Sequence, residues 1–374
     1  MIHNLHLENF KRFEDQSLEF GSLTLLSGLN GMGKSSTLQS LLLLRQSYQQ
    51  GLLESTGLAL NGDLVHIGTA KDAMCEYAKS DTIGFTLDFE NNIKAIWQFD
   101  YKYESDILSI VSHPVSSHAY QSSLFSDDFQ YLQAERLGPR TSFAMSDFQV
   151  RQHRQLGTMG EYTAHFLSVF RDSEIPNVAL SHPKAKSLNL LSQVEAWLGE
   201  ISPGTRIHIT DSPGMDLVSL QYSFGLSKEY RSRDYRATNV GFGITYTLPV
   251  ITAILAARPG SLLLLENPEA HLHPRGQSQM GNLLAQAAAQ GVQIILETHS
   301  DHVLNGIRLA VHDGKLDPDA TRLHFFQIRE SQGQFVSEVV SPQMNRRGKL
   351  NKWPDGFFDE WDNSLESLLA PIKE

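Results

Sequence analysis

Cysteine is almost absent. Cys75 is the single one in 374 residues, which excludes an internal disulfide and a cysteine-rich zinc site. Long apolar runs are missing too: Ala253–Ala257 and Leu262–Leu265 fall far short of the roughly 20 residues a bilayer-spanning helix needs, so no membrane partner is expected. The opening MIHNLHLENFKRF carries charge where a signal peptide would need its apolar stretch, which points to a cytoplasmic protein. Positive charge is not in excess. Lys and Arg total 31 against 42 Asp and Glu, a net −11, so any contact with nucleic acid has to come from a local patch. No internal repeat, low-complexity tract or sustained heptad pattern occurs. The content of 41% hydrophobic and 20% charged residues is that of an ordinary globular chain and argues against wholesale disorder.

Strands alternate with helices at both ends, which makes this an α/β protein. Ile2–Phe13, Ser17–Phe20 and Leu23–Ser27 read as strands, and Lys34–Tyr48 as a leucine-rich helix. Ile83–Phe89, Ile93–Tyr101 and Leu108–Val111, parted by polar stretches, predict an antiparallel meander. His113–Asp128, rich in Ser and His, reads as a loop, and Phe129–Ala134 as a buried strand. Thr141 to Ser212 is irregular, with helices predicted at Glu161–Phe170 and Leu188–Leu198, and a strand follows at Leu217–Tyr222. Val240–Ala257 is a helix that Pro249 can kink. Leu262–Leu265 and Val292–Leu296 have the pattern of strands buried on both faces. The helices Arg275–Gln290 and Asp301–Val311 follow them, then strands at Arg322–Ile328 and Phe335–Val340 and a polar tail.

Gly28-Leu29-Asn30-Gly31-Met32-Gly33-Lys34-Ser35 matches G-x-x-x-x-G-K-[ST] in full. Glycines let successive backbone N–H groups turn inward around phosphate oxygens. Lys34 brings a point charge to the β and γ phosphates, the Ser35 hydroxyl reaches Mg²⁺, and the helix N-terminus adds its own field. An apolar strand before and a helix after are the context such a motif requires. ATP and Mg²⁺ are therefore the expected ligands.

A phosphate loop needs a carboxylate on a neighbouring strand for the magnesium. Leu262-Leu263-Leu264-Leu265-Glu266-Asn267-Pro268-Glu269 supplies one in Glu266. The next apolar strand ends in Glu297-Thr298-His299, at the carboxyl ends where ligands bind in open α/β sheets. His299 can sense a γ-phosphate; read alone a hydrogen-bonded core histidine is favoured, and the phosphate loop and the acidic strand end reverse that balance. His271 and His273 have no third ligand nearby in sequence, and structural or nucleotide-proximal roles outweigh a metal site. Gln133, Glu135, Arg136 and Arg140 fit either a coupling loop or a solvated charged turn, and Arg231, Arg233 and Arg236 form the clearest basic cluster.

Together L-E-N-F-K-R-F, G-L-N-G-M-G-K-S-S, E-N-P-E-A-H-L-H-P and E-T-H-S-D-H resemble the ABC-type ATPase heads of the RecF, SMC and OLD class. The tail Trp353-Pro354-Asp355-Gly356-Phe357-Phe358-Asp359-Glu360 is similar to that of a bacterial subfamily of stand-alone, AAA-annotated ATPases. The resemblance implies a P-loop fold with an antiparallel β subdomain and a short inserted helical arm. It implies an N-terminal lobe over 1–140, an inserted region over 141–235, a C-terminal lobe over 236–340 and a tail over 341–374. It also implies a homodimer that sandwiches ATP. There Asn30, Gly31, Gly33, Lys34, Ser35 and Ser36 of one copy would face a signature-like Asn239-Val240-Gly241-Phe242-Gly243 of the other. Ser35 and Glu266 would hold the metal and His299 would read the γ-phosphate. Related heads have glutamate where Asn267 stands; Asn267 can orient a water but takes no proton, so either Glu269 or Glu297 serves as base instead, or hydrolysis is slow. The implied setting is DNA maintenance or anti-phage defence, with DNA or a separately encoded effector as partner. The alternative is a weakly hydrolysing scaffold that regulates such an effector. Trp353, Phe357 and Phe358 would pack on the head or dock a partner.

Overall fold

A computed structural model describes residues 1–112, 115–225, 231–331 and 334–369. His113 and Pro114, the start of the segment expected to be a loop, lie outside the described residues. Six strands form the central sheet, in the order Gln334–Val340, Thr321–Ser331, Leu23–Gly28, Gln293–Glu297, Leu262–Glu266 and Phe129–Leu132. From Thr321–Ser331 across to Phe129–Leu132 the pairing is parallel, and Gln334–Val340 adds an antiparallel edge.

The runs of leucine and isoleucine in these strands follow from cover on both faces. Side chains alternate across the sheet. Leu23, Leu25, Leu263, Leu265, Ile294 and Leu296 enter one core, while Leu26, Leu262, Leu264 and Ile295 enter the other. Helices Phe242–Ala256, Pro274–Ala289 and Asp301–His312 contribute to the first core, the last of them through Val303, Ile307 and Val311. The second is filled by the helix Lys34–Gln49, buried nearly all round, and by an N-terminal sheet. That helix therefore has to be apolar on several faces, which explains its leucine run.

The N-terminal sheet is antiparallel, in the order Phe13–Glu19, Ile2–Phe10, Thr82–Phe89, Ile93–Asp100. The expected third meander strand leaves it. Ile107–Ser109 pairs with Gly57–Ala59 instead, and only an isolated bridge between Phe99 and Ile110 links it back. Of its three residues only Leu108 is buried, too little apolar face to hold a fourth place in that sheet.

The region expected to be irregular contains a hairpin, Thr205–Ser212 with Leu217–Phe224, edged by Tyr235–Arg236 and Phe143–Ala144. Its helices Thr163–Phe170 and Leu190–Ile201 place Phe166, Leu167, Val194 and Leu198 in the first core. The tail is also anchored. Phe357 is fully buried and meets Phe325 edge-on at 5.3 Å, with Trp353 at 5.5 Å and Phe358 at 4.9 Å. The Arg308 guanidinium lies 5.2 Å from the Trp353 ring centre. Packing on the head is thus what these aromatics do. Among the described residues no helix is long and apolar enough to cross a membrane.

Candidate functional site

The loop begins where Leu23–Gly28 leaves the sheet. Gly28 sits at φ 126°, and a Cβ there would fall 2.1 Å from the Phe326 carbonyl oxygen. Gly33, the residue before the helix, has φ 112°, and its Cβ would strike the Phe13 ring at 2.3 Å. Both the left-handed backbone and the close neighbours demand glycine. Leu29 N–H donates to Phe326 O at 3.1 Å, and Ser337 Oγ donates to Met32 O at 2.5 Å, which pins the loop to the sheet. Asn30 and Gly31 stay exposed at its tip. Lys34 is buried, and its Nζ donates to Gly28 O at 2.8 Å and Leu29 O at 2.9 Å. Burial lowers its pKa, and the Glu297 charge works against that. Ser35 is exposed and Ser36 buried on the first helical turn, whose N–H groups have no intrahelical acceptor and are free for an anion.

Glu266 and Glu297 are register partners at the ends of adjacent parallel strands. Glu266 accepts from Tyr131 Oη at 2.8 Å and from Ala134 N–H at 3.1 Å. Glu297 accepts from Ser35 Oγ at 3.0 Å and lies 3.8 Å from Lys34 Nζ. Burial raises the Glu297 pKa, Lys34 lowers it, and the like charge of Glu266 raises it again. Asn267 has φ 44°, donates its N–H to Glu297 O at 2.8 Å, and keeps a buried Oδ1 without a protein partner.

Arg136 holds this turn from behind. Its guanidinium donates to Gln133 O at 3.0 Å, Glu266 O at 2.7 Å, Asn267 O at 2.6 Å and Tyr246 O at 3.1 Å, and lies 5.2 Å from the Tyr246 ring centre. Burial pushes its pKa down to about 10, still charged at neutral pH. For Arg136 the solvated-turn reading is therefore overturned, whereas Glu135 and Arg140 are exposed.

Glu269 is buried. Its Oε1 accepts from Thr298 Oγ1 at 2.7 Å and from His299 N–H at 3.3 Å, while Oε2 has no partner in the protein. Burial raises its pKa. The His299 ring itself is exposed, and partial burial followed by the Lys34 charge lowers its pKa. It is not a core histidine. His271, at φ 64°, packs edge-on to Tyr246 at 4.6 Å and beside Phe242 at 5.5 Å. His273 caps the helix Pro274–Ala289 by accepting from Arg275 N–H at 3.4 Å. Asn239 and Gly241 are exposed just before the helix Phe242–Ala256, and a Cβ on Gly243 would lie 2.7 Å from His271 O. The glycine pair and the H-L-H turn thus form one surface. The arginine cluster is largely spent internally. Arg231 donates to Asp234 at 2.8 Å and sits 2.6 Å from His208 Nε2, and Arg233 lies over Tyr235.

Some residues went unassigned by sequence. A cavity of about 690 Å³ beside the loop is lined by Lys11, Arg12, Phe13, Gly31, Ser36 and Ser337, and Lys11 Nζ donates to Gln39 Oε1 of the loop helix at 2.7 Å. Two cations directly after a buried strand, in N-F-K-R-F, were the available signal. Tyr131 carried none, because an aromatic at a strand end is usually core.

The donor set fits a nucleoside polyphosphate with a divalent cation: a left-handed glycine loop, an ammonium, an open hydroxyl and carboxylates at two strand ends. The chain is similar to the crystallised SMC head bound to the C-terminal winged-helix domain of ScpA, with a TM-score of 0.54 and 14% identity over 92% of this chain and 98% of that one. It is also similar to the Pyrococcus furiosus SMC head with an extended coiled coil, bound to the C-terminal domain of ScpA, with a TM-score of 0.50 and 12% identity over 98% and 99%. No curated protein matches the chain in sequence. Residues 316–368 match a family described as a protein of unknown function, DUF3696. Residues 23–305 match the family described as "AAA domain, putative AbiEii toxin, Type IV TA system", so the chain belongs to that family, and it shares the fold of the SMC heads.

Proposed function

We propose that the protein binds Mg-ATP at Gly28–Ser36, hydrolyses it slowly, and uses the bound nucleotide to close two copies head to head. Asn30, Gly31 and Gly33 offer backbone N–H groups to the phosphates, and Lys34 offers its charge. Ser35 and a strand-end carboxylate hold the cation, which when bound neutralises charge on the phosphate oxygens. His299, steadied through its backbone by Glu269, reads the γ-phosphate, and Asn239, Gly241 and Gly243 reach the nucleotide of the opposite copy. The observation that carries this reading is the loop itself, with buried Lys34 and exposed Ser35 set against Glu297. Phe242, an apolar ring left 55% exposed beside Gly241, supports a second copy on that face. The lobes 1–140 and 236–340 would form the head, with 141–235 as the region that couples it to a partner.

Asn267 favours a second reading. It stands where the resembling heads have a proton-accepting glutamate, and its amide takes no proton. A nucleotide-gated scaffold that regulates a separately encoded effector follows if turnover is negligible. The family's description as an AbiEii-type toxin supports a defence setting; DNA as the sensed object rests on the resemblance alone. Steady-state ATP turnover beside Lys34→Ala, with and without duplex DNA, tests these readings. Turnover that the substitution abolishes supports the ATPase, and tight Mg-ATP binding without turnover supports the scaffold.

A further inference from the structure

We infer that the tail turn running from Asn345 to Lys352 is a contact for the phosphate backbone of duplex DNA. It lies apart from the phosphate loop and the strand-end acids and does not depend on the Mg-ATP reading. Arg346, Arg347, Lys349 and Lys352 fall within it, and no Asp or Glu occurs between Glu338 and Asp355. All of these cations are exposed, and among the described residues none of their side chains is in an ion pair. In a chain of net charge −11 that is a local reversal of the field, the condition any nucleic-acid contact has to meet. The cluster of Arg231, Arg233 and Arg236 meets it less well, since Arg231 is paired with Asp234 and Arg233 lies over Tyr235.

The turn is held in one shape. Asn345 N–H donates to Lys349 O at 2.9 Å, and Gly348 N–H donates to Asn345 O at 2.9 Å. Asn345 Oδ1 accepts from Arg347 N–H at 2.9 Å and from Lys349 N–H at 3.1 Å. Below it, Asn351 N–H donates to Gln343 O at 2.9 Å and Gln343 N–H to Asn351 Oδ1 at 2.8 Å. Gly348 has φ 68°, the left-handed residue that closes a three-residue hairpin connection, and a Cβ there would lie 2.4 Å from Arg308 O. Arg308 Nε in turn donates to Gly348 O at 2.8 Å. The glycine side of the turn is thus fixed on the helix Asp301–His312, about two turns or roughly 10 Å along from Asp301. Arg346 and Arg347 are left at the tip. With the backbone ordered beforehand, binding has only side-chain freedom to lose.

The chemistry favours duplex DNA. Arginine offers a planar fork of donors that fits phosphate oxygens, and a duplex carries one negative charge per about 1.7 Å of its axis. The turn holds no aromatic residue on which an unpaired base could stack, the device of single-strand sites. The next ring, Trp353, already meets Arg308 at 5.2 Å and Phe357 at 5.5 Å. A membrane fits less well, because the exposed Leu365, Leu368 and Leu369 sit in a helix with acids and no Lys or Arg, which an anionic bilayer repels. Contacts to the backbone alone carry no sequence preference.

Fluorescence anisotropy of a short labelled duplex, titrated with the full chain at rising salt, tests this. Contacts from all of these cations predict a slope of about −3.6 for log affinity against log salt, a loss of about a hundredfold between about 50 and 200 mM. Arg346→Ala with Arg347→Ala should shrink that slope by about two and weaken binding at about 50 mM salt by about tenfold or more. Arg346→Lys with Arg347→Lys, which keeps the charge, should retain most of the slope, and Arg231→Ala with Arg233→Ala should leave it unchanged. Thermal melts and ATP titrations of the turn variants should match wild type, because the replaced side chains are exposed and remote from the nucleotide. The inference is overturned if the double alanine variant keeps the wild-type slope, if wild type binds no duplex at low salt, or if single strands bind more tightly than duplex. Binding to phosphatidylcholine vesicles that contain phosphatidylserine, without binding to duplex, would overturn it in favour of a membrane.

Discussion

Replacing Arg136 with methionine keeps much of the side-chain volume and removes every donor. The guanidinium serves four carbonyls, those of Gln133, Tyr246, Glu266 and Asn267, in a place where Arg136 is 3% exposed. Hydrogen bonds to a charged group are worth about 1.5–3 kcal/mol and a buried acceptor left unpaired costs about 1–3 kcal/mol. These terms overlap, and the substitution also ends the desolvation cost of the buried charge, so the net loss is placed at about 4 kcal/mol. For a chain of 374 residues that corresponds to a fall of about 5 °C in the melting temperature. Arg136→Lys keeps the charge but not the fork geometry and should fall between wild type and Arg136→Met. Differential scanning fluorimetry reads all three. A shift of under about 2 °C for Arg136→Met would refute the clamp and return Arg136 to the coupling-loop role.

Further outcomes follow from the same geometry. Gly33→Ala, whose Cβ would meet the Phe13 ring at 2.3 Å, should abolish nucleotide binding in an equilibrium titration and cost about 1–3 kcal/mol of stability. Phe357→Ala, which empties a fully buried site, should cost about 3–5 kcal/mol in a thermal melt. His324 donates from Nε2 to Glu19 O at 2.7 Å and pairs through Nδ1 with Ser341 at 2.8 Å, and burial holds its pKa below the ordinary value. The unfolded chain then takes up the proton first. Stability is full above about pH 6.5 and is lost as the pH falls below it; His324→Gln should flatten that slope in melts between pH 7.5 and 5. Asn267→Glu restores a carboxylate after Glu266 and should raise ATP turnover at least tenfold, the scale of general-base contributions being about 10²–10⁴.

The parts of the fold that sequence revealed are those with strong local signals. Leu262–Leu265 and Val292–Leu296 are apolar runs with nowhere to go but a doubly covered sheet, and they lie there. The helix Val240–Ala257 kept Pro249 within it, observed as Phe242–Ala256. The strand read at Leu108–Val111 was found at Ile107–Ser109, but its pairing escaped because the partner Gly57–Ala59 is a three-residue strand, too short to carry a period. Thr205–Ser212 was hidden among polar residues, for Thr210, Asp211 and Ser212 interrupt its alternation. At the site, the glycine loop was readable because its backbone demands are written in residue types. The different partners of Glu266, which accepts from Tyr131, and of Glu297, which accepts from Ser35, were not, since they depend on which neighbouring strand each side chain leans toward. Arg136 stayed undecided between a coupling loop and a solvated turn because a charge next to Glu135 fits both; four carbonyls converging from distant segments leave no trace in local sequence.

Nucleotide-driven pairing of two copies is the central claim, and solution mass tests it most directly. Light scattering on eluted protein should give 41.9 kDa without nucleotide and about twice that in saturating Mg-ATP, with Lys34→Ala held at the smaller mass in both. Wild-type protein that binds Mg-ATP yet stays at the single-chain mass would contradict the account.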